Sequence, residues 1–307
     1  MHRVVAYSRE TSIKKTTDGY DVDVYLALQE DGSLLYKLTR VEEGEAIVRS
    51  ANVRVGIPRG ILRNNEHLLV VAEIAALVQF VSIDGINCFG AKKIPPMRDV
   101  QFVTSRSLVE RLLSMDEKTR SELQCSKEAY LIKQVDALTA YCYGFSVLAT
   151  DLPSSVSVLE REFDTYGHIN LGELLHQCDV TTPLGSVRIT KRAIQEYLSL
   201  PLNLDLQSLD RSQFSRPFVA VRNVIAGASE IQPSSNQHVK RLRGKFGSGA
   251  QSLMNKSGVT TIVDLVPIKS GKKERFIVIG FRQLYSKALQ ERLSDKGYMG
   301  RYRQKGD

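Results

Sequence analysis

The sequence predicts an α+β protein. A β-rich core spans residues 1–160 and carries a helical segment at 107–139; a mixed α/β continuation spans 161–235, and a basic C-terminal module spans 236–307. Three observations predict this. Apolar residues alternate at period 2 in the first hundred residues, they recur at helical spacing between Ser105 and Ala137, and the positive excess is confined to the last 72 residues. Strands and helices follow one another without a regular βαβ alternation, which favours α+β over a doubly wound sheet.

In order along the chain, residues 3–8, 20–29 and 33–39 read as strands. Val22, Val24 and Leu26 alternate with Asp21, Asp23 and Tyr25, the rhythm of a half-buried strand. Asp31-Gly32 is a hairpin signal, because glycine takes positive φ without strain. The run 46–57 alternates again and closes at Pro58-Arg59-Gly60. Residues 68–83 fit either two buried strands or one helix capped by Asn64 or Asn65. Helices are expected at 107–123, where Ser107 and Glu110 make a capping-box pattern, and at 126–139. Strand character returns at 141–149 and 156–159. Helical spacing follows at 169–178 and 190–200, the second ended by Pro201. Residues 217–225 read as a strand, 226–236 as a loop, and 238–249 as a flexible, glycine-containing basic segment. Strands at 259–268 and 275–281 form an expected hairpin with a cationic tip, and a helix at 283–293 leads to a basic tail.

The charge is strongly polarised. Residues 236–307 hold 16 of the 42 Lys and Arg but only 5 of the 34 Asp and Glu, a local net charge of +11 in a chain of net +8. The first 235 residues are therefore slightly acidic. Such polarity is the sequence trace of an anion-binding surface, whose attraction for phosphates weakens with salt. No stretch reaches the roughly 20 apolar residues of a membrane-spanning helix. The N-terminus lacks the apolar core of a secretory signal. Cys88, Cys125, Cys142 and Cys178 include no CxxC pair, so reduced thiols are expected rather than a zinc knuckle or a disulfide scaffold. An intracellular protein, cytoplasmic or nuclear, is the expectation.

The chemistry-bearing residues lie in the basic module. Lys240, Arg241, Arg243, Lys245, Lys272, Lys273, Arg301 and Arg303 are expected to neutralise phosphates and release condensed counterions. Phe246, Tyr298 and Tyr302 are expected to offer faces on which unpaired bases stack. Single-stranded RNA or DNA suits this glycine-rich context better than groove reading does. Enzyme motifs fail. Gly85 and Gly90 have P-loop spacing, but Ala91 stands where lysine must follow. His168, His176 and Cys178 lack a second pair at metal-ligand spacing. No catalytic residue, cofactor or metal is expected.

One ordered set of features resembles the cell-to-cell movement proteins of plant viruses, the thirty-kilodalton superfamily. It comprises the run Leu77-Val78-Gln79-Phe80-Val81-Ser82-Ile83-Asp84-Gly85, then Arg98-Asp99-Val100, then Phe145-Ser146-Val147 with Pro153 and the serine-rich alternation to Val158. This sequence differs in placing Pro95-Pro96 before the aspartate and Val100 after it. The resemblance implies a β-sandwich core, cooperative and hence self-associating binding of viral single-stranded RNA, and action at host cell junctions. It makes Asp99 a fold residue.

The expected function is therefore non-catalytic, largely sequence-independent binding of nucleic acid, with transport or viral movement as its setting. Two alternatives stand beside it. One is a nucleic-acid-processing enzyme, a recombinase or nuclease, in which His238, Arg241 and Tyr285 would act. The other is a matrix-like assembly protein whose basic face makes peripheral contact with acidic lipid or protein.

Overall fold

The alternation of apolar and polar residues in the N-terminal strands calls for a partner layer on their apolar face, and the computed structural model supplies it with helices. The structure describes residues 2–29, 47–59, 64–82, 100–114, 121–123, 125, 129–151, 165–199, 217–230, 236–246, 248–255, 259–267 and 274–283. The chain forms two compact units, Met1–Cys178 and Asp179–Asp307. The boundary falls inside the stretch read as a mixed continuation, 161–235.

In the first unit, β1 (His2–Tyr7), β2 (Ile13–Lys15), β3 (Gly19–Gln29) and β4 (Ile47–Pro58) are followed by α1 (Asn65–Val81) and β5 (Val100–Thr104). Then come α2 (Ser107–Ser114), α3 (Ala129–Tyr141), β6 (Ser146–Ala149), β7 (Thr165–Asn170) and α4 (Leu171–Gln177). One mixed sheet runs β6-β5-β1-β3-β4-β7, with β2 added to β3. β1, β3 and β4 are antiparallel neighbours, whereas β5, β6 and β7 join in parallel.

Val4 and Ala6 of β1, Val22, Val24 and Leu26 of β3, and Val53 and Val55 of β4 share the helix-side face and are fully buried. α1 seats on them. Residues 65–81 resolve the strand-or-helix ambiguity as one helix, started by the Asn64 side chain, which accepts from the Glu66 N–H at 2.8 Å. Thirteen of its residues are buried, the mark of a helix covered on all sides. α2, α3 and α4 all touch α1, so the described helices form one layer on one face of the sheet. A second sheet, as a sandwich would need, is not among the described residues of this unit.

The second unit holds β8 (Asp179–Thr182), β9 (Gly185–Arg188), α5 (Lys191–Leu198), α6 (Pro217–Ala226) and β10 (Ser229–Glu230). α7 (Asn236–Phe246), β11 (Gln251–Met254), β12 (Val259–Pro267) and β13 (Glu274–Gln283) complete it. Its sheet runs β10-β11-β12-β13-β9-β8. The hairpin expected at 259–281 is present as antiparallel β12 and β13, with a register shift between Ile262 and Val263. Thr190 caps α5 by accepting from the Ala193 N–H.

Two local expectations are corrected. Residues 217–225 form helix α6, not a strand. Phe218, Val221 and Ile225 are buried at helical spacing, and Pro217 sits in the first turn, where a missing N–H costs nothing. The basic segment 238–249, read as flexible for its glycines, is helical as far as Phe246, where α7 ends. The stretch 141–149 contains strand only from Ser146, after α3 and a turn at Gly144 with φ 94°. The strands at 33–39 and 156–159, and the helix at 283–293 apart from Gln283 at the end of β13, lie outside the described residues. Among the described residues, no helix is long and apolar enough to cross a membrane.

Candidate nucleic-acid interface

Val239, Leu242 and Phe246 recur at helical spacing in α7 and are its half-buried residues, while Lys240, Arg241, Arg243 and Lys245 are exposed. At 100° per residue the apolar side chains make one stripe and the four cations fan across the remaining arc. Arg243 and Lys245 stand in the last turn, where positive charge also complements the carbonyl end of the helix dipole. Lys245 Nζ lies 5.2 Å from the centre of the Phe246 ring, a cation–π contact that holds the aromatic beside the charge. Among the described residues, Lys240 and Arg243 have no acidic partner. Other described arginines are bound to carboxylates: Arg54 to Asp23, Arg106 to Glu73 and Arg188 to Asp179, each within 2.9 Å, and Arg192 to Glu196 at 3.2 Å.

Topology sets where this helix attaches. The chain enters α7 from β10 and leaves it into β11 at Gln251, which pairs with Val263. β12 then runs toward that same end of the sheet before Pro267 pairs with Glu274. The strand ends that bracket Lys272 and Lys273 thus lie at the end of the sheet to which α7 is tied. Lys272, Lys273, Tyr298, Arg301, Tyr302 and Arg303 themselves lie outside the described residues. His238 and Arg241 of the recombinase-like alternative both fall in α7, one turn apart, and Tyr285 lies outside the described residues.

A second polar cluster escaped the sequence reasoning. At the carboxyl ends of the parallel strands β1 and β5, the carboxyl group of fully buried Glu73 accepts from Ser8 Oγ at 2.7 Å, Thr104 Oγ1 at 2.6 Å and Arg106 Nε at 2.8 Å. Arg106 also donates from Nη1 to Glu66 at 2.7 Å and from Nη2 to the Ser8 carbonyl at 2.6 Å. Ligands often bind beyond the carboxyl ends of parallel strands, but the polar groups here are spent on one another. Burial pushes the Glu73 carboxyl up from its ordinary value, against the opposing hydroxyls and guanidinium. The cluster ties α1 to two strands. Its sequence signal was a lone glutamate inside the apolar run that begins at Leu68. Among the described residues, no three His, Cys, Asp or Glu side chains converge on a metal-sized site.

No family model, curated protein or solved structure matches the chain.

Proposed function

We propose that this chain is a non-catalytic nucleic-acid-binding protein, largely indifferent to sequence and favouring single strands, with its C-terminal basic module as the principal contact. The resemblance to movement proteins extends the proposal to transport of nucleic acid between cells. The observation that supports it is the cation fan of α7, four exposed positive charges on one helix, two of them without an acidic partner among the described residues. Lysines and arginines already bound to carboxylates would gain little from a phosphate. Those facing water displace counterions when they meet one, and the entropy of that release drives association.

Filter retention of a labelled oligouridylate by the full chain, across a salt series, tests this. The combined variant Lys240→Ala, Arg243→Ala, Lys245→Ala is expected to bind more weakly and to lower the salt slope by about 2, given roughly 0.7 per phosphate contact on a single strand. An unchanged slope and affinity would overturn the assignment to α7.

A further inference from the structure

The cation fan of α7 leads into an exposed hydroxyl. Ser248 stands in the turn that follows the helix, three residues past Lys245, five past Arg243 and seven past Arg241. Its side chain is exposed and has no hydrogen-bond partner among the described residues. Other serines placed three positions after an arginine differ in this respect. Ser12 donates to the Arg9 carbonyl at 2.6 Å, and Ser114 to the Glu110 carbonyl at 2.6 Å. The turn carrying Ser248 lies between α7 and buried Ala250, which leads into β11. Within α7, Gly244 makes the last turn easier to unwind, because glycine regains the most backbone freedom when a helix opens.

We infer that Ser248 is a phosphorylation site that switches off the α7 contact, with a nucleoside triphosphate as donor and a kinase selective for basic substrates as partner. The inference rests on the nucleic-acid-binding function proposed above and adds regulation to it. In the transfer step a bond forms between Ser248 Oγ and the γ-phosphorus as the bond from that phosphorus to its bridging oxygen breaks. The nucleoside diphosphate leaves with the electron pair, and the hydroxyl proton passes to the kinase's base. Such a kinase reads the lysine and arginines before the acceptor by charge complementarity. Reading them in an extended segment requires the last turn of α7 to open, and helix ends open most readily. The phosphate then adds a charge of about −1.5 to −2. The Cα atoms of Lys245 and Ser248 are at most about 11 Å apart, a gap that a lysine stem and a phosphoserine close from both sides. The carbonyl end of the helix, carrying about half a negative charge, opposes a phosphate there, but Arg243 and Lys245 supply two full positive charges. The tethered phosphate therefore occupies the cations that an oligonucleotide needs.

The test treats the full chain with a nucleoside triphosphate and a purified serine kinase that selects basic residues before its acceptor. Mass spectrometry locates the phosphate, and fluorescence anisotropy of a labelled oligouridylate across a salt series reads binding before and after. Modification is expected at Ser248, weakening binding roughly tenfold at about 0.1 M salt and lowering the salt slope by about 1.4, two phosphate contacts at roughly 0.7 each. Phosphatase treatment should restore both, a readout that needs no variant to fold. Ser248→Ala should bind like the parent and keep its affinity after kinase treatment. Gly244→Ala should slow modification of Ser248 about two- to fivefold by holding the last turn closed. An unmodified Ser248 in a chain whose other serines are phosphorylated, or full modification with parent-like binding, overturns the switch. If either result accompanies a loss of slope in the α7 charge variant, the proposed function survives without it. If Ser248 is modified but the untreated chain does not bind the oligonucleotide, the proposed function falls and takes the switch with it.

Discussion

Arg106 and Glu73 are joined by an Nε–Oε1 contact of 2.8 Å, with the glutamate fully buried and the arginine side chain 15% exposed. The guanidinium is used as a three-pronged fork, one prong to α1 at Glu73, one to Glu66 and one to the main chain after β1. A planar group with donors at fixed angles can hold three acceptors at once, and a flexible ammonium cannot.

Replacing Arg106 therefore exposes the cost of its partner. Arg106→Leu leaves a buried carboxyl group without its countercharge and is expected to destabilise by about 3–5 kcal/mol. Arg106→Lys is expected to recover only part of this, remaining roughly 1–3 kcal/mol below the parent because at least one buried acceptor goes unpaired. Urea unfolding measures both. A lysine variant as stable as the parent would show that the fork geometry is irrelevant.

The same glutamate gives a pH signature. Its folded-state pKa lies above the ordinary 4.5, so the folded chain retains a proton that the unfolded chain has lost. That stabilisation is complete below 4.5 and declines as pH rises through the folded value. Compared with Glu73→Gln, which cannot ionise, the parent chain should lose relative stability as pH increases above 4.5. A stability difference that stays constant, or that grows with pH, contradicts the burial-dominated environment.

Gly244 lies inside α7, and a Cβ built there meets nothing within 4 Å. Its helical conformation does not use glycine's freedom. Gly244→Ala should stabilise the helix by about 0.5–1 kcal/mol and leave oligonucleotide retention unchanged. Slower amide exchange within 236–246 is the measurement, and faster exchange would contradict it.

Gly19 is the opposite case. A Cβ at this position would come within 2.0 Å of the Ile57 carbonyl oxygen, because Gly19 pairs with Pro58 where β3 and β4 close on each other. Main chain cannot step aside as a side chain can. Gly19→Ala is expected to lower stability by about 1–3 kcal/mol, read from the thermal or urea midpoint. Gly227→Ala, whose nearest neighbour is 3.5 Å away, is the matched control.

Much of the secondary structure was legible. The alternation of Val22, Val24 and Leu26 marked β3, Thr190 and Ile194 marked α5, and two runs around a cationic turn marked the β12–β13 hairpin. The failures share a cause. Val219, Val221 and Val224 pulled 217–225 toward strand by composition, whereas the helix is fixed by Phe218, Val221 and Ile225 facing a common core. Likewise the glycines of 238–249 suggested flexibility, but Val239, Leu242 and Phe246 give α7 a stripe to bury.

By itself the sequence determined the charge polarity, the cationic residues of the candidate interface and the period of most elements, because these depend on neighbours a few positions apart. Only the tertiary structure decided which distant residues meet: Ser8, Glu73, Thr104 and Arg106 in one buried cluster, and Tyr7 opposite Tyr25 across β1 and β3. Those meetings depend on strand register, and a slip of one residue would turn every side chain of a strand to the other face. Local periodicity shows that a strand has two faces, but pairing between strands chooses what lies across from each residue.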